Sequence, residues 1–128
     1  MPAPASFEFT DALNVSAQTL VRDAIDAGTG AGLLKIYSEA DVLLASITLD
    51  DPCGTINAAG RLTITAPSAG TGLADATATW GEFTDSDNTW RLRAPVESGA
   101  SAVSGKIVLS TSAIAEGASV TLVSATVG

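Results

Sequence analysis

Asp85-Ser86-Asp87-Asn88 sets oxygen-bearing side chains at alternate positions, which is how a calcium-binding loop begins. The continuation departs from that pattern. Trp90 stands where the loop needs glycine for a sharp turn, and Val96 stands where a bidentate glutamate belongs. Four turn formers between apolar stretches predict a hairpin turn instead, and Asp50-Asp51-Pro52 reads the same way. Paired carboxylates can also hydrolyse glycosides, but they then need a concave pocket lined with aromatics. This chain has six aromatic residues, and most of them are needed for a core. Histidine is absent, which removes Ser-His-Asp and Cys-His triads and histidine zinc sites. Cys53 is the sole cysteine, so an intrachain disulfide and a thiolate cluster are excluded. In the loop Asp51-Pro52-Cys53-Gly54 it reads as a small semi-buried residue, with a bond to a neighbouring subunit as the alternative. Gly28-Thr29-Gly30-Ala31-Gly32 ends a helical stretch and opens a strand, the reverse of a phosphate loop, and lacks the Gly-Lys-Ser/Thr ending. No catalytic residue, metal ligand or cofactor is expected.

Such elements as could position a site are set by 128 residues, one ordinary domain. About half of the chain is Ala, Gly, Ser or Thr, which provides for one thin core. A mean hydropathy of +0.34 with 16% charged residues predicts a folded chain. Fourteen acidic against six basic residues give a net charge of −8, the wrong sign for gripping nucleic acid or an anionic membrane. Neither is expected as a partner. No window approaches the roughly 18 apolar residues of a membrane span, and the first residues carry no signal-peptide pattern, so a soluble protein made in a cytoplasm is expected.

Residues 1–9 hold two of the five prolines and read as an extended arm, in which Phe7 and Phe9 alternate with Glu8. Leu13, Ala17, Leu20, Val21 and Ala24 then mark one face of a helix over about 11–27, with Thr10 as its cap and Gly28 as its stop. Beyond it everything reads as strand and turn. Leu33 to Tyr37 and Val42 to Leu49 form one hairpin around Ser38-Glu39-Ala40-Asp41. Ala76, Ala78 and Trp80 alternate with polar residues, and Phe83 leads through the Asp85 turn to Trp90, Leu92 and Ala94, a second hairpin. Trp80, Phe83 and Trp90 are its cross-strand packing or, alternatively, an exposed binding patch. Lys106 to Ser110 and Val120 to Val127 close the chain around an Ala115-to-Gly117 turn. The expected fold is mainly β, an antiparallel β-sandwich or jelly-roll-like domain over 10–128 with one N-terminal helix.

Arg91 and Arg93 share one strand face and, with Arg61, are half of the positive charge. They are either a solvated face or reach acidic groups on an adjoining subunit. Phe7 and Phe9, each worth roughly 1.5–3 kcal/mol if buried, need a cover. These four are the interface candidates.

Leu34-Lys35-Ile36-Tyr37, then Ala74 to Trp80, then Asp85-Ser86-Asp87, then Glu116-Gly117-Ala118-Ser119-Val120-Thr121 follow in an order that resembles a group of small structural proteins of tailed-bacteriophage and prophage virions. The likeness runs from about Thr10 to Val127. It departs at Gly81-Glu82-Phe83, where the group has an aromatic-Arg pair. The resemblance implies a non-enzymatic virion subunit assembled in a bacterial cytoplasm, a capsid decoration or neck (head-tail) accessory protein. A tail tube or tail-tip component is the alternative within the virion. Its partners would be other virion proteins and further copies of itself. An adhesin-like module binding a glycan or ion is the reading from a different class.

Overall fold

The computed structural model describes residues 10–103 and 105–127. Phe7 and Phe9 lie outside the described residues. The expected cap is present: the Thr10 hydroxyl oxygen accepts from the Leu13 N–H at 3.2 Å and starts α1, Asp11–Ile25. Its core-facing stripe differs from the one expected. Gln18 and Ile25 are buried and Val21 packs on the core, whereas Leu13 and Leu20 are 53% and 73% exposed. At 3.6 residues per turn this is a roll of roughly a quarter turn about the helix axis. Ile25 explains it, because this fully buried side chain sits against Gly32, where even a Cβ would collide with it.

Among the described residues eleven strands follow: β1 Leu33–Ser38, β2 Leu43–Thr48, β3 Gly54–Ile56, β4 Leu62–Ile64, β5 Gly70–Gly72, β6 Ala76–Thr84, β7 Trp90–Ser98, β8 Ile107–Leu109, β9 Ala113–Ile114, β10 Ser119–Val120 and β11 Leu122–Val127. The fold is mainly β with a single N-terminal helix, as expected. The strands join in one curled sheet of order β10-β5-β2-β1-β6-β7-β8-β11-β4-β3, with β9 added beside the start of β6. Two separate antiparallel layers are not resolved, so the sandwich or jelly-roll description is not confirmed. The sheet is mixed because β8 runs parallel to β7. Trp90 to Pro95 pair antiparallel with β6, and Val96 to Ser98 pair in parallel with β8.

Alternation puts Leu34 and Ile36 of β1, Ile47 of β2, Phe83 of β6 and Ile107 of β8 on the inner side, where all are essentially without solvent exposure. Helix α1 lies along β3 and β4. It is held at one end by the turn before β4, where Gly60 has φ 84° and a Cβ would strike Asn14, and at the other by Asp26, whose carboxylate accepts from the Cys53 N–H at 2.8 Å. No helix among the described residues is long and apolar enough to cross a membrane.

Candidate functional site: an aromatic and arginine face

The outward residues of β1, β6 and β7 make one continuous surface. Register sets Tyr37 opposite Trp80, Lys35 opposite Glu82, and Glu82 opposite Arg93. Trp80 reaches this face through a bulge. The pairing of β1 with β6 slips between Tyr37 and Ser38, so Ala78 enters the core and Trp80 does not follow it, contrary to the alternation of Ala76, Ala78 and Trp80. Phe83 turns inward and is core; Trp90 is 51% exposed. The three residues expected to pack together are therefore divided between the two sides of the sheet.

The rings of Tyr37 and Trp80 are stacked, 4.4 Å between centroids and 14° between planes. The Arg93 guanidinium carbon lies 3.9 Å from the Trp90 ring centroid and 5.6 Å from that of Trp80. Glu82 ties the group together: one carboxylate oxygen accepts from the Tyr37 hydroxyl at 3.1 Å and the other from Arg93 Nε at 3.2 Å. The Trp80 indole N–H donates to Asp41 at 3.2 Å. Partial burial, then the hydrogen bond and negative charge of Glu82, raise the Tyr37 hydroxyl above its ordinary pKa, with Arg93 opposing.

Arg91 points at the adjoining turn. Its Nη2 and Nε donate to Asp85 Oδ2 at 2.9 and 3.3 Å, while Asp85 Oδ1 accepts from the N–H groups of Asp87 and Thr89 at 2.9 and 3.0 Å. Burial by itself would raise the Asp85 carboxyl; the Thr89 N–H, the Arg91 guanidinium and the Asp87 N–H outweigh it and hold the group below its ordinary value. Both carboxylate oxygens are thus committed to protein donors, and the Asp85 segment is a hairpin turn. The Ser86 hydroxyl docks that turn on the linker after α1, donating to the Ala27 carbonyl at 3.2 Å and accepting from the Thr29 N–H at 3.1 Å. The glycine-rich linker accordingly packs against a turn, and Gly28, with φ 98°, leaves room for Ser86.

Asp50 accepts from the Thr65 hydroxyl at 2.6 Å and also serves a local contact. Among the described residues no three acidic or cysteine side chains are grouped as a metal site would need. Cys53 is buried and free; burial, then the charge and hydrogen bond of Asp26, push its thiol up to about 12. A buried thiol of this kind does not present itself to a neighbouring subunit. Arg91 and Arg93, the interface candidates read from sequence, are each paired with a carboxylate of their own chain, Arg91 with Asp85 of the turn and Arg93 with Glu82 on the face. Tyr37 and Glu82 were not singled out. The outward phase of β1 marks Tyr37, but only the cross-strand register brings it to Trp80.

Compared with protein-family models, curated proteins and solved structures, the chain matches none.

Proposed function

We propose that this chain is a non-enzymatic assembly subunit that works through the face formed by Tyr37, Trp80, Arg93 and Trp90. In line with the resemblance of its sequence, it is read as a structural protein of a tailed-phage virion, a capsid decoration or neck accessory subunit in contact with other virion proteins and with its own copies. The observation that carries this reading is the composition of the face. Tryptophan, tyrosine and arginine are the residues that dominate the energetics of protein contacts, and here they form one patch in which Arg93 is paired with Glu82 of its own chain. Sugar binding would use open ring faces, whereas Tyr37 and Trp80 turn theirs on each other. Ion binding at Asp85 would have to displace four protein donor contacts.

The test is the mass of the purified protein by light scattering and its co-sedimentation with phage particles, beside Trp90→Ala. The native chain is expected to self-associate or to be retained on particles. The variant should lose roughly 2 kcal/mol of that affinity, about thirty-fold, while remaining folded. A native protein that is strictly monomeric and never retained overturns the reading, whereas full retention of the variant removes this face from the contact.

A further inference from the structure

The regular apolar stripe of α1 is turned away from the core. Leu13, Ala17, Leu20 and Ala24 follow at steps of four, three and four residues, which at about 100° per residue keeps them within an arc of roughly 60°. Gln18 and Ile25, the buried positions, lie on another side of the helix. Leu20 is the most exposed large apolar side chain among the described residues and Leu13 comes next, while Ala17 and Ala24 are partly exposed. Steps of four and three are the seam of a coiled coil, and here the seam lies outside the chain's own core.

We infer that α1 pairs antiparallel with α1 of a second copy of this chain, about a two-fold axis that crosses the helix midway between Ala17 and Leu20. That axis exchanges Leu13 with Ala24 and Ala17 with Leu20, so every leucine meets an alanine of the other helix. Large against small brings the helix axes to about 8 Å, the close end of helix packing, without leaving a gap. The seam is thus complementary to itself, which is what a two-fold contact requires. Charge favours the same direction. Asp23, beside the stripe, falls opposite Asn14 of the second copy, in the first turn of that helix, where the backbone N–H groups carry partial positive charge. A parallel pair would instead set leucine on leucine, alanine on alanine and Asp23 on Asp23. The helix of 15 residues is about 22 Å long, and a pair of that length buries less than the roughly 1,200 Å² at which standard interfaces begin, so the dimer is weak and depends on concentration. None of its residues belongs to the outer face of β1, β6 and β7. The pairing therefore adds a second contact to the one already proposed and does not rest on it.

Sedimentation equilibrium of the full chain between about 10 μM and 1 mM is expected to show a dimer with a Kd on the order of 100 μM, and the same dimer should persist in Trp90→Ala, where the outer face is impaired. Leu20→Glu changes an exposed position, so the dilute protein should keep its circular dichroism and melting temperature while the dimer weakens at least about tenfold. Ala17→Leu, which sets leucine against Leu20 of the second copy, should weaken it as well, and Ala17→Leu combined with Leu20→Ala, which exchanges the two sizes, should restore it. On oxidation, a mixture of Leu13→Cys and Ala24→Cys chains should yield a disulfide-linked pair that neither yields alone. A chain that stays monomeric throughout overturns the inference, as does a dimer that Leu20→Glu leaves unchanged, that Trp90→Ala abolishes or that the double exchange does not restore. Cross-links within each cysteine variant and none between the two would show a parallel pair and overturn it too.

Discussion

Arg93 lies 3.9 Å over the ring of Trp90 while its Nε donates to Glu82 on the neighbouring strand, so one side chain clamps both ends of the outer face. At an exposed site such a cation–ring contact is worth about 0.5–1 kcal/mol. Trp90→Ala should lower the melting temperature of the monomer by a few degrees only, measurable by calorimetry. A drop of more than about 3 kcal/mol would show Trp90 to be part of the core and remove it as a contact residue.

Tyr37 is the only tyrosine, so its titration can be followed by difference absorbance without interference from another phenol. Its folded pKa is raised, and the stability linked to it is therefore complete below the ordinary value of 10.0 and declines as pH rises through the higher folded value. Glu82→Gln should bring the titration part of the way back, because burial, the largest cause, persists. An unchanged midpoint in the variant would deny Glu82 its role in the cluster.

For Asp85 the sign is reversed. Its folded pKa is lowered, so its contribution is complete above the ordinary value of 3.8 and is lost as pH falls from there through the folded value. Asp85→Asn should be less stable than the native chain at neutral pH and should lose less on acidification. Parallel melting curves against pH for the two proteins would contradict this.

The buried Cys53 thiol, pushed up to about 12, should resist thiol reagents at neutral pH in the folded protein and react fully in denaturant. Labelling of native protein as fast as a free peptide thiol would show that the loop opens.

The roll of α1 separates two substitutions that the spacing of apolar residues does not. Leu20→Gln should change stability by less than about 0.5 kcal/mol, since Leu20 is exposed, while Ile25→Ala should cost about 2–5 kcal/mol. Equal effects in chemical denaturation would restore the stripe that the sequence suggests.

What could be read in advance was local. Thr10 needs only Leu13 three residues on, and both main hairpins follow from alternation around polar turns. The short strands β3 and β5 escaped notice because glycine is rare within strands. Gly54 and Gly72 are there because other backbone lies too close for a Cβ, against the carbonyls of Thr63 and Ala115, and nothing in the neighbouring sequence records an approach made by distant residues. The same holds for the outer face. Arg91 and Arg93 stood out by charge, but Tyr37 and Glu82 join them only through the register of three strands, and a bulge decides which way Trp80 points.

Strand β11 lies between β8 and β4, and so joins the β3–β4 hairpin to the rest of the sheet. Both of those neighbours precede it in the chain. As the polypeptide leaves the ribosome, Leu62 to Ile64 and Ile107 to Leu109 therefore expose unsatisfied edges until residues 122–127 are free, and such edges are where chains pair with the wrong partner. Completion of the sheet is a late, non-local event, which places this chain among slow folders. Its yield in a cell is then governed by the time those two edges wait, and overexpression at lower temperature or with a chaperone should raise the soluble fraction.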